Sequence, residues 1–301
     1  MFLKKNYFLR YWPIYSMILP GIAYFIIFQY IPLFGSVIAF QKYNIFSGIW
    51  GSEWVGFDNF RIMLEHPNFY RIIRNTLVIA FYKLVLGFPA PILLALLLNE
   101  VRQRYFKRFI QTFLYLPHFL SWVIVGGIVI NILSPTTGMV NEVIKLFGEK
   151  PIFFMQMPEY FRSIVVVSDI WRSVGWGTII YLAALAGVNM ELYESAEVDG
   201  ASRLRQTISI TLPAIMPTII VLLLINIGDF LNLGAEQLLV LQNPLVLEVG
   251  DIIDTYVYRV GLLGGQFSQT AAVGMFKSVI GFILIIGANR LAKLTTGNSI
   301  Y

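Results

Sequence analysis

The sequence predicts an all-α integral membrane protein with six transmembrane helices, and three observations carry that prediction. Of 301 residues, 57% are hydrophobic and only 13% charged, where a soluble protein carries about 25% charged residues. Mean hydropathy is +0.71. The apolar residues gather into six runs near the roughly 20 residues that cross a bilayer as a helix. Basic residues cluster in the short polar segments beside those runs, as membrane topology requires.

The runs cover about 13–40, 74–99, 109–133, 163–187, 214–241 and 270–292. Lys4, Lys5 and Arg10 precede the first run. That run exceeds the roughly 7–15 apolar residues of a cleavable signal, so it is expected to be a retained span. The second begins at Asn75-Thr76-Leu77 and contains Gly87, Pro89 and Pro91. Spans tolerate proline where neighbours satisfy the freed carbonyls. The third opens at Leu116-Pro117-His118-Phe119, with His118 expected to pack or hydrogen-bond beside a Pro117 kink. In the fourth, Asp169 and Arg172 stand three residues apart and are expected to pair.

The fifth run carries Asn226, Asp229, Asn232, Glu236 and Gln237 among apolar residues. Read as one continuous helix, these form a broad polar face. Ionisable groups at membrane depth are costly and face a water-filled cavity or a partner. A pathway through the membrane and a hydrogen-bonded subunit contact both stay open.

Between the fourth and fifth runs lies 189–217, the longest polar interval that also reads as a helix. Glu191, Glu194, Glu197 and Asp199 come first and Arg203 and Arg205 follow, the order a helix macrodipole favours. Leu192, Ser195, Ala196 and Asp199 share one face, and their small side chains let another backbone approach. Asp199-Gly200 is a turn signal that ends the helix, and Pro213 and Pro217 open the next run. The connector VRQRYFKRF (101–109) is strongly basic. Basic segments stay inside, so both termini, that connector and the 189–213 loop are expected on the cytoplasmic side.

Several chemistries are excluded. With no cysteine there is no disulfide, thiolate metal site or cysteine nucleophile. His66 and His118 are too far apart in sequence to suggest a metal cluster. No phosphate-cradling G-x-x-x-x-G-K-[ST], H-E-x-x-H or G-x-S-x-G is present. No catalytic residue, metal site or bound cofactor is therefore expected. The net charge of +5 is spread through clusters beside the spans, which points to membrane lipid and not to nucleic acid.

Glu194-Ser195-Ala196-Glu197-Val198-Asp199-Gly200-Ala201, with Pro213 and Pro217 downstream, resembles the EAA loop of ABC importer permeases. Ser195 replaces the usual alanine. The turn Gly56-Phe57-Asp58-Asn59-Phe60, the stretch LPHFLSW (116–122) and residues 222–244 and 248–294 are similar to the oligosaccharide branch of that family. The resemblance implies a type I importer permease fold. The first span and outer loop would occupy 1–71, the permease core 72–292 with its coupling loop at 189–213, and a cytoplasmic tail 293–301. It implies that Glu194, Ser195, Ala196, Asp199, Gly200 and Ala201 dock on an ATPase. The chain would sit in a bacterial cytoplasmic (inner) membrane.

The implied partners are a second, homologous permease in a heterodimer, two cytoplasmic ATP-binding subunits that hold ATP and Mg, an extracytoplasmic solute-binding protein and an oligosaccharide. Sugars are held by aromatic faces and hydrogen-bonding side chains. The candidate substrate pathway is therefore Asn226, Asp229, Phe230, Asn232, Glu236, Gln237, Trp176 and Tyr181, with Tyr82 and Trp171 also considered. Asn226 stands where that branch often has Arg, and neutral and uronic-acid oligomers both stay open. The alternative is an ion-coupled secondary sugar transporter with Asp229 and Glu236 as relay groups, which leaves 189–217 unexplained. A membrane-embedded enzyme is a third class, and the missing catalytic constellation weighs against it.

Overall fold

The computed structural model describes residues 3–296, with side chains over 11–290 and at Lys293. The last residues of the expected tail, 297–301, lie outside the described residues, as do the side chains of Lys4, Lys5 and Arg10. Among the described residues, four helical stretches are long and apolar enough to cross a membrane: Tyr11–Phe40, Phe69–Glu100, Arg203–Gly228 and Phe267–Arg290. Two bent pairs, Arg104–Phe119 with Trp122–Ile132 and Pro158–Ala186 with Glu191–Val198, bring the number to six if each is one span. The chain divides into two compact units, 1–67 with 259–276, and 68–258 with 277–301.

In the first unit, α1 (Leu3–Phe25) runs through a π turn and a 3₁₀ turn to Phe40. Its side chains from Trp12 to Phe34 are mostly exposed, as lipid-facing residues are. Two short strands, β1 (Gln41–Lys42) and β2 (Glu53–Trp54), pair antiparallel with Gln41 opposite Trp54. They are a small exception to the all-α expectation. Helix α2 (Asp58–Glu65) follows. Its Asn59 amide donates to the carbonyls of Ala39 and Gln41 at 2.9 and 3.0 Å, and Phe40 gathers Trp54, Phe57 and Phe60 around it. The G-F-D-N-F turn therefore fastens the loop to the end of the first span.

The second unit is built around one long helix. Its elements are α3 (Phe69–Tyr82), α4 (Pro89–Glu100), α5 (Arg104–Tyr115), α6 (Trp122–Ile132), α7 (Met139–Leu146), α8 (Pro158–Ala186), α9 (Glu191–Val198), α10 (Leu212–Gly228), α11 (Ala235–Leu241) and α12 (Phe267–Thr296), whose first residues, through Phe276, belong to the first unit. In lipid, apolar side chains gain little by leaving the solvent. Close packing and polar contacts therefore hold helices together. Gly175 of α8 shows the first: a Cβ there would lie 1.9 Å from the Leu114 carbonyl oxygen, so only glycine lets α5 cross. Phe161, Val165, Ile79, Leu238, Leu241, Val246 and Ile252 form one core cluster, and Ile92, Ala95, Tyr181, Leu185 and Ile215 another.

Three helices expected to be continuous are not regular. Between α3 and α4 a π turn spans Lys83–Gly87, and Pro89 falls at the start of α4, where a missing N–H costs nothing. The third span begins earlier than 109 and bends by 107° at Leu120-Ser121. Pro117 opens a 3₁₀ turn there and Ser121 caps α6. The Arg172 Nε donates to the freed Leu120 carbonyl at 3.2 Å, and its guanidinium lies over Trp122. Arg172 is thus committed to the bend, and the expected Asp169–Arg172 pair is replaced by Asp169–Lys83 at 3.0 Å.

The fifth span is the largest correction. The polar face over 214–241 presumed one helix, but α10 stops at Gly228 and α11 starts at Ala235. The intervening backbone turns through Gly234 at φ +76°. Gln237, Asp229 and Asn226 therefore do not share a helical face.

Candidate functional site

Two places in the second unit carry polar groups that ordinary packing does not explain: a cavity and the loop after α8.

The cavity encloses about 410 Å³. Its walls come from the α3–α4 junction, α8, α10 and the break after α10. Of the sequence candidates, Asn226, Asp229, Phe230, Asn232, Trp176 and Tyr181 line it. Glu236 and Gln237 do not. Glu236 is exposed on α11, and Gln237 is buried in a structural contact: its amide donates to the Val165 carbonyl at 2.7 Å and to Ser168 Oγ at 3.0 Å. Trp171 and Tyr82 face other depressions.

Sequence reasoning assigned no role in this cavity to Lys83. Its Nζ donates to Asp169 Oδ1 at 3.0 Å, Gln237 Oε1 at 2.7 Å and the Leu233 carbonyl at 3.5 Å. The π turn that carries Lys83 supplies the reason, since such bulges re-aim a side chain at functional places. One ammonium thus ties the second span, the fourth span and the broken fifth. Trp176 is set by His118, whose ring stacks on it at 4.6 Å with 2° between planes. His118 is a packing residue, as expected beside the Pro117 turn. The cavity therefore offers aromatic surface from Trp176 and Phe230, and amides and a carboxylate from Asn226, Asn232 and Asp229.

A second polar network ties α3 and α8 to the segment after α11. Asn75 donates to the carbonyls of Glu248 and Asp251 at 2.9 and 3.1 Å and accepts from Arg162 Nη2 at 2.8 Å. Thr76 accepts from the Ile253 N–H at 3.0 Å, and Lys277 pairs with Asp254. Asp251, Thr255 and Tyr256 of this segment are buried.

The loop after α8 is built almost wholly from its own residues. Helix α9 bends 74° away from α8, and Asn189 Oδ1 accepts from the Glu191 N–H at 3.0 Å to cap its start. At its end, the Gly200 N–H bonds the Glu197 carbonyl at 3.1 Å and the Ala201 N–H bonds the Ala196 carbonyl at 2.9 Å. That pair is a Schellman motif, and its left-handed residue is Gly200 at φ +75°. Ser202 then caps the next turn. Tyr193 and Thr211 hydroxyls meet at 2.9 Å, joining the two arms of the loop, and Arg203 reaches Glu100 at 3.6 Å. Glu194, Ser195, Asp199 and Gly200 are exposed, with Ala196 and Ala201 half-buried. Leu192 and Val198 are also exposed, so α9 presents apolar and acidic side chains with no covering element from the described residues.

The loop and the cavity are mechanically adjacent. Its first arm continues into α8, which carries Asp169, Trp176 and Tyr181; its second continues into α10, which carries Asn226 and ends at Asp229.

Known proteins match this chain over most of its length. The family model described as "Binding-protein-dependent transport system inner membrane component" matches residues 87–296. Protein LplB of Bacillus subtilis (strain 168) is 51% identical over 280 residues, 93% of this chain and 88% of its own. The polygalacturonan/rhamnogalacturonan transport system permease protein YteP of the same organism is 51% identical over 288 residues, 96% and 90% of the two chains. Among solved structures, a chain of a bacterial ABC transporter involved in the import of the acidic polysaccharide alginate matches with a TM-score of 0.91. It is 42% identical, and the match covers 98% of this chain and 100% of that one.

Proposed function

The chain belongs to the binding-protein-dependent transport system inner membrane components, and from that premise we propose how its loop and its cavity divide the work of import. It is the transmembrane permease subunit of an ABC importer of oligosaccharides or polysaccharides. The ion-coupled alternative finds no support among its relatives.

In our reading α9 is the coupling helix, and its Glu194–Ala201 segment seats in a groove of a cytoplasmic ATP-binding subunit. Two such subunits bind ATP and Mg; this chain holds neither and catalyses nothing. A second, homologous permease completes the pathway, and an extracytoplasmic binding protein delivers the glycan to the outer face. Both termini are cytoplasmic. Closure of the ATPases displaces α9. The Tyr193–Thr211 contact makes the two arms move together, so α8 and α10 carry the displacement to Trp176, Tyr181, Asn226 and Asp229. This is a two-state element biased by a partner. In the pathway Trp176, Tyr181 and Phe230 stack on sugar rings, while Asn226, Asp229 and Asn232 bond hydroxyls.

The observation that carries this reading is the continuity of both arms of one exposed loop with two walls of one cavity. Purification of a tagged chain from native membranes tests it. A nucleotide-binding ATPase and a second six-span permease should co-purify, and glycan-loaded binding protein should stimulate hydrolysis. A chain that emerges alone or as a homodimer, with no ATPase, overturns the reading.

A further inference from the structure

The charges lining the cavity are Lys83, Asp169 and Asp229. Lys83 is spent: its three ammonium hydrogens meet three acceptors, one of them Asp169. That pair is neutral and has no donor left for a substrate carboxylate. Among the described residues Asp229 has no cationic partner. Its carboxylate accepts from the Asn232 amide at 3.3 Å, and it is exposed to the cavity. It also caps the C-terminus of α10, where the helix dipole is negative and an acid is disfavoured. The Ile225 and Ile227 carbonyls at that end accept from the Asp229 and Phe230 N–H groups, so the Asp229 carboxylate is the charged acceptor the end presents to the cavity. This wall therefore carries one uncompensated negative charge.

We propose that Asp229 sets the charge preference of this half of the pathway: it accepts sugar hydroxyls and turns substrate carboxylates away, so that the partner permease must meet the carboxylates of a uronate oligomer. The proposal rests on the importer reading above. It gives an acidic glycan a fixed orientation in transit, with hydroxyls to this chain and carboxylates to the other.

The test uses the whole complex in proteoliposomes, with partner permease, ATPases and binding protein. The probes are trigalacturonate and its methyl ester, which share a skeleton and differ in charge. Uptake of each is measured for wild type, Asp229→Asn and Asp229→Glu. Comparing each variant with wild type cancels the binding protein's own preference. Asp229→Asn should raise the uronate-to-ester uptake ratio about tenfold, because a like charge a few ångströms away is removed. Asp229→Glu, which keeps the charge, should hold the wild-type ratio. An unchanged or lower ratio in Asp229→Asn overturns the proposal. An assembled complex that hydrolyses ATP and imports another glycan yet takes up neither probe overturns the proposal and leaves the importer reading standing, whereas a chain that assembles with no ATPase overturns both.

Discussion

The two ends of α10 close in opposite ways. At its N-terminal end the loop is fixed mostly by bonds within about one turn, Gly200 to Glu197, Ala201 to Ala196 and Gln206 to Ala201, with the Tyr193–Thr211 contact closing its arms and Arg203 reaching Glu100. At its C-terminal end the break is fixed by residues far away in sequence. Lys83 reaches Leu233 and Gln237 across 150 and 154 positions, and Gln237 reaches Val165 across 72. The first end is a rigid handle made from a motif. The second is a cavity wall whose shape depends on three spans staying together. Disturbing the handle should alter coupling and leave the fold intact, whereas disturbing the wall's ties should alter stability first.

The largest expected effect is at the wall. Lys83→Met leaves Asp169, with a side chain 27% exposed, without its cation. Removing one partner of a mostly buried pair costs about 3 kcal/mol. Thermal unfolding in detergent should show it, and Lys83→Met with Asp169→Asn should recover part of the loss. If the double variant is no better than the single, the ammonium acts through Leu233 and Gln237 alone. Next comes Gln237→Leu, which strips the Lys83 ammonium of an acceptor at 2.7 Å and removes the amide that donates to Val165 and Ser168, at about 2 kcal/mol. The same unfolding measurement applies, and a cost near zero would show that the wall does not need this tie.

At the handle, Gly200→Val forces a β-branched residue to φ +75°, a local strain of about 1–2 kcal/mol. Membrane insertion should be normal while transport falls at least about tenfold. Gly200→Asn should retain more transport, since asparagine tolerates that conformation. Equal transport in all three forms would separate the turn from coupling. The smallest effect is expected at Glu236→Gln. Glu236 is exposed and off the cavity, so stability should move by less than about 0.5 kcal/mol and uptake should hold. A large loss of uptake would return Glu236 to the pathway.

The same contrast explains what was legible in the sequence. The six apolar runs, the helix over 191–198 and its stop at Asp199-Gly200 depend on neighbours in sequence, and composition or motif reveals them. The break between Gly228 and Ala235 was read through although Gly228, Asp229, Asn232 and Gly234 are turn formers: the apolar residues on either side join into one span-length run, and nothing local announces that Lys83 will claim the Leu233 carbonyl. Asp169 and Arg172 sit at pairing distance on a helix, yet each is taken by a group outside it. Lys83 itself looked like one more charge in a span. Two cues pointed to it: it precedes Gly87 and Pro89, where helices deform, and a lone lysine at membrane depth needs an acid.

The central claim, that α9 couples to an ATPase, has a direct measurement. The chain contains no cysteine, so Ser195→Cys on the exposed face of α9 introduces its sole thiol. A short bifunctional maleimide–photoreactive reagent should link that thiol to a nucleotide-binding subunit in native membranes, with a yield that changes when ATP and Mg are added. A thiol that stays freely reactive, yields no adduct with an ATPase and is indifferent to ATP would contradict the account.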